Sequence, residues 1–283
     1  MKKGNSFLEK GFLCEGALKN SNRIQKKYAV EFKFLLDANQ LFTKITNLLN
    51  EKSSPKERVS KILAYKSIQS MQSSIILMKM GINSDTFSLI RTMHECFLAF
   101  ICLLKDEDTF AEMGNKDDIN FRNKRIKDIF TRDILKDMYS GYSETLSTLK
   151  SELDKIINDV KSHKKFGVGD FYNEVSDEPV CQYIYYNYSF ISNLHSHVSY
   201  ASMSKFLFND KISMNEANAD DFRMASKMLI DASMIFSHEL SKHFLNNSFD
   251  NVINSLIAES YSHLIKVGHL IHKDNVQEIQ KKG

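Results

Sequence analysis

Two prolines in 283 residues leave almost nothing in this chain to interrupt a helix. Apolar residues at Phe32, Leu35, Leu36, Phe42, Ile45, Leu48 and Leu49 recur at helical spacing and predict a helix over about 22–50. Ser53-Ser54-Pro55 ends it and opens another. Ser54 is a capping residue, Pro55 suits the first helical position and Glu57 favours the first turn. That helix runs to about Met80, where Gly81 suits its last turn, and Asn83 or Ser84 caps a third. Further helices are expected over about 117–138, 142–162, 180–200, 219–245 and 249–272. No alternation of period two is long enough to suggest a sheet, and no repeat of solenoid length is visible. The expected fold class is all-α: a helical bundle with a charged helical insertion at about 106–178. Residues 1–20 lack periodicity and read as an arm, residues 21–273 as one helical domain, and residues 274–283 as a tail.

Hydrophobic content of 42% with 26% charged residues is that of a globular chain, so disorder is not the default. The 38 basic and 35 acidic residues nearly cancel, which neither marks nor excludes a nucleic-acid partner. Cys14, Cys96, Cys102 and Cys181 form no CxxC pair, which fits free thiols in a reducing compartment. The longest apolar run, Phe97 to Leu104, is eight residues, short of a membrane span, and no signal peptide follows the basic start. A cytoplasmic protein with no membrane attachment is the expectation.

One helix breaks its own pattern. The segment Ser84 to Leu104 is apolar on all sides, the mark of a buried helix, yet it carries Arg91 and Glu95. Four residues apart, these charges stand side by side in a stripe flanked by core residues. Burying an ion pair costs several kcal/mol per ion, about what its attraction returns. Two readings are open. The charges reach solvent at the bundle's end and merely pair, or they line a polar pocket that serves a function. The order Arg before Glu is the weaker one for a simple surface pair, which favours the pocket.

The segment Cys181 to Tyr200 carries a second polar stripe. Tyr188, Ser192, His195 and Ser199 share one face, which Cys181 and Ile184 extend. A Tyr, Ser and His ridge facing Arg91 and Glu95 would position and polarise a phosphodiester, with His195 as general acid or base. Glu95 would orient His195 or raise its pKa. The alternative is a satisfied core histidine on an aromatic helix.

These two stripes, SLIRTMHECFLAFICLLKD and the Tyr188-x-x-x-Ser192 motif followed by His195, resemble the bacterial helical family DUF5677, over about residues 65–110 and 180–245. That family is similar to the HEPN superfamily of helical bundles, many of them metal-independent ribonucleases of toxin–antitoxin and anti-phage systems. The resemblance implies an endoribonuclease with Arg91 on phosphate, His195 in proton transfer and Glu95, Tyr188 and Ser192 in support. It also implies RNA, a homodimer or another defence protein as partner. The usual HEPN signature, Arg followed after four to six residues by His on one helix, has no match here, because Arg91 and His94 are too close. The other reading is a non-enzymatic helical sensor whose polar pocket holds an anionic ligand or a partner.

Other signals carry less. His238-Glu239 followed by His243 has the wrong spacing for a zinc-protease helix, and His263, His269 and His272 lack a carboxylate or thiol companion. No metal or other cofactor is expected. Arg122, Lys124 and Arg125 form a basic cluster suited to phosphate, although Asp117, Asp118 and Asp128 interleave it. Gly167-Val168-Gly169 lacks the Lys and the strand context of a phosphate loop.

Overall fold

The computed structural model describes residues 15–50, 52, 54–159, 167–193, 207–208, 211–212 and 219–267. Among these the chain forms helices joined by turns and one short antiparallel ladder, in which Leu207 pairs with Ile212 and Phe208 with Lys211. The helices are α1 (Glu15–Lys27), α2 (Ala29–Leu48), α3 (Pro55–Met80), α4 (Asn83–Lys105), α5 (Glu107–Thr131), α6 (Asp133–Met138), α7 (Ser143–Asp159), α8 (Val168–Val175), α9 (Pro179–Ile191), α10 (Ala219–Phe244) and α11 (Asp250–Lys266). The all-α class is therefore as expected. Two compact units emerge, Met1–Phe97 with Pro179–Gly283, and Leu98–Glu178; the charged insertion lies within the second.

Local chemistry sets the helix ends. The Ser54 Oγ accepts the Glu57 backbone N–H at 3.0 Å, and Pro55 stands at the first position of α3. Gly81 closes α3 at φ 82, a left-handed conformation that side chains resist. The Gly81 and Ile82 N–H groups bond back to Met78 and Leu77, which satisfies carbonyls the helix would otherwise leave open. The single helix expected over about 22–50 is instead two, divided at Tyr28. The division falls where the buried Tyr28 ring stacks on Phe222, with centroids 4.0 Å apart. The expected arm is likewise partly structured, because α1 already begins at Glu15 and buries Ala17.

The core of the first unit is a ladder of rings. Phe222 of α10 meets Tyr28 and Phe32, and Phe236 meets Phe42 of α2 and Phe97 of α4. The same spacing separates Tyr28 from Phe42 as Phe222 from Phe236, so α2 and α10 run parallel. Phe87, Ile90, Met93 and Phe97 of α4 are also buried, as the apolar pattern requires. Among the described residues α4 is the one helix long and apolar enough to cross a bilayer by length and composition, and 67% of that stretch is buried inside the protein. A core helix meets the same description.

In the second unit Asp106 caps α5 by accepting the Thr109 N–H at 2.9 Å. Phe110 stacks on Phe171, Ile126 is buried, and Lys105 pairs with Asp177 at 2.6 Å.

The cap and the left-handed turn of α3 are separable by mutation. Ser54→Ala and Gly81→Ala are each expected to lower stability by about 1 kcal/mol, read as a shift in the urea-unfolding midpoint at constant slope.

Candidate functional site

The face of α4 that carries Arg91 and Glu95 meets α9 at Tyr188. The Arg91 Nε donates to the Glu95 carboxylate at 3.2 Å, and its Nη2 donates to the Tyr188 hydroxyl at 2.7 Å. The guanidinium carbon also stands 4.9 Å from the centre of the Tyr188 ring, a cation–π contact that fixes the plane of the group. Tyr188 is itself buried and stacks on Tyr185 at 6.0 Å. Arg91 and Glu95 are neither buried nor free: their side chains are 27% and 39% exposed. Enough water reaches them to avoid the full desolvation of a buried pair. Among the described residues Nη1 has no hydrogen-bond partner, so a donor of a clamped guanidinium is left for an acceptor from outside.

Of the residues expected here, the structure thus joins Arg91, Glu95 and Tyr188. Ser192 follows one turn later, where α9 widens into a π-type turn at Ser192 and Asn193. Its hydroxyl is buried and lacks a partner among the described residues. The continuation of this helix towards Tyr200, with His195 and Ser199, lies outside the described residues. Arg122, Lys124 and Arg125 stand exposed on α5 in the second unit; Arg122 pairs with Asp118 at 2.8 Å and Arg125 lies over the Phe121 ring.

Several polar groups were not singled out by sequence. His94, on the side of α4 shared with Ile90 and Phe97, is fully buried, and its Nδ1 has no partner among the described residues. Burial disfavours its charged form and lowers its pKa to about 3. On α10, Asp231 accepts from Tyr183 of α9 at 2.5 Å, Lys227 at 2.6 Å and Tyr261 of α11 at 2.7 Å. Burial and then the carboxylate push the Tyr183 and Tyr261 hydroxyls upward, so both stay neutral donors. Burial pulls Lys227 down, but Asp231 outweighs it and the ammonium keeps its proton. Glu31 of α2 is buried against Arg223 at 3.6 Å and His263 at 3.4 Å. The signal for these seams was the charge spacing Arg223, Lys227, Asp231 along one helix face. Every acid in them already holds a cation or a phenol, so they lock α2, α9, α10 and α11 together. His238 stands 3.3 Å from Asp250 and His243 3.3 Å from Glu239, and no group of three metal-binding side chains occurs among the described residues.

A protein-family model, that of a family of unknown function (DUF5677), matches residues 57–214, a span that holds Arg91, Glu95, Tyr188, Ser192 and His195. No curated protein and no solved structure matches the chain.

The sign of the His94 effect is fixed by its lowered folded pKa. The unfolded chain takes up a proton near the ordinary 6.5 while the folded chain resists until about 3. Its contribution is whole above pH 6.5 and falls as the pH drops towards 3, by about 1.4 kcal/mol per unit. Urea unfolding between pH 7 and 5 is expected to show this loss, and His94→Gln to reduce its slope by about one proton.

Proposed function

The chain belongs to the DUF5677 family, and we propose that it is a HEPN-like, metal-independent ribonuclease acting in the cytoplasm as an effector of bacterial anti-phage defence. The observation that supports the reading is the Arg91 guanidinium, gripped by Glu95 and Tyr188 and still partly open to water on a largely apolar helix. A guanidinium held flat in this way is suited to the non-bridging oxygens of a phosphodiester, where negative charge grows in the transition state. In the proposed reaction the ribose 2′-oxygen attacks the adjacent phosphorus and the bond from phosphorus to the 5′-oxygen breaks. His195 removes the 2′ proton or supplies one to the leaving oxygen. Tyr188 and Glu95 hold Arg91 in place, and Ser192 lies on the same helix face. The products are a 2′,3′-cyclic phosphate and a 5′-hydroxyl end. The defence role follows from the resemblance to HEPN proteins.

A second reading draws on the same contact. A guanidinium held by Glu95 and Tyr188 and partly open to water also suits a helical sensor that binds an anionic ligand or a partner protein and performs no chemistry.

Purified wild-type protein with RNA in the presence of EDTA, and cellular RNA during phage infection, separate the two. Cleavage with cyclic-phosphate ends is expected, reduced about 100-fold or more by Arg91→Ala and by His195→Ala. Binding of RNA or another anion that depends on Arg91, with the RNA left intact, would favour the sensor. Intact RNA with no Arg91-dependent binding would contradict both.

A further inference from the structure

The second unit carries an exposed helix face whose charges mirror one another about a single aromatic ring. On α5 the residues Asp117, Asp118, Phe121, Lys124 and Arg125 lie on one side, and each is exposed. At 1.5 Å per residue, Asp117 and Arg125 stand about 6 Å from Phe121 in opposite directions, and Asp118 and Lys124 somewhat closer. The Phe121 side chain is 58% exposed although its helix has a buried side at Ile126. Its cover within the chain is the Arg125 guanidinium, 5.4 Å from the ring centre. Asp118 pairs with Arg122 of its own helix, while Asp117 and Lys124 have no ion-pair partner among the described residues.

An antiparallel copy of this helix, related by a twofold axis through Phe121, reads the same face in reverse. Asp117 then meets Lys124 of the second copy, Asp118 meets Arg125 of the second copy, and the two Phe121 rings meet on the axis. Twofold interfaces are self-complementary in this sense: each contact occurs twice and the ring of charges closes. The interleaved acids argue against a nucleic-acid backbone as occupant, because they would lie against its phosphates. A surface of near-zero net charge with mirrored signs is instead complementary to itself.

We propose that this face of α5 is a homodimer interface, its occupant a second copy of the chain docked antiparallel across Phe121. The proposal rests on the second unit alone and stands apart from the ribonuclease reading. One exposed ring and four charge contacts make a small interface, so the association is weak and sensitive to salt.

Sedimentation velocity of the full chain over a range of concentrations tests it. A concentration-dependent dimer is expected at low salt, weakened at high salt. D117K with D118K makes the face wholly basic and is expected to leave a monomer, as is K124D with R125D, which makes it wholly acidic. Mixing the two reversed proteins restores a dimer between them, and all four changes in one chain restore self-association. These side chains are exposed, so circular dichroism should report unchanged helicity throughout. F121C places a thiol on the axis and is expected to form a covalent dimer on oxidation. A chain that stays monomeric at every concentration would overturn the proposal. So would a dimer indifferent to the reversals, or reversed variants that fail to recombine.

Discussion

The contact on which the first unit's polar chemistry depends is the bond from Arg91 to the Tyr188 hydroxyl. α4 is apolar around its circumference because it is enclosed, and an enclosed helix tolerates a cation only where something holds it. Glu95, one turn along, supplies charge, and Tyr188 supplies both an oxygen and a ring face from another helix. Together they tie α4 to α9 and fix where the guanidinium points. Partial exposure lets the pair avoid the desolvation that makes wholly buried ion pairs poor stabilisers. It is also what leaves the group open to a ligand.

The remaining charges of the unit are handled differently. Around Asp231 three donors from three helices converge on one carboxylate, and around Glu31 an arginine and a histidine share one oxygen. Removing a single member of such a set strands the others, a loss of about 3–5 kcal/mol for a buried charge pair. These are structural seams. The cluster at Arg91 differs in combining a clamp with access, and that combination marks it as the functional candidate.

Much of this was legible in the residues because its causes are local. Ser54, Pro55 and Gly81 mark helix ends through their own backbone and side-chain chemistry. Arg91 and Glu95 stood out because a charge on an apolar helix contradicts its surroundings, and the stripe through Tyr188 followed from helical periodicity alone. What escaped depends on distant chain. The break at Tyr28 falls at a ring stack with Phe222 of a distant helix, and the Asp231 seam needs α9, α10 and α11 assembled before it has meaning. His94 looked unremarkable beside Arg91; its burial comes from the side of α4 that it shares with Ile90 and Phe97. The charged insertion gave indistinct helix bounds because its helices are solvated and its hydrophobic period is weak.

The role of Arg91 is tested most directly by the salt dependence of affinity for a short RNA oligonucleotide, compared between wild type and Arg91→Gln. A cation that contacts phosphate releases counterion on binding, so losing it should weaken the complex and lower the slope of log affinity against log salt by about one. Stability in urea should change by no more than about 1 kcal/mol, as for other partly exposed ion pairs. An unchanged affinity and slope, accompanied by a stability loss of several kcal/mol, would make the Arg91 cluster another structural seam and contradict its role as a phosphate site.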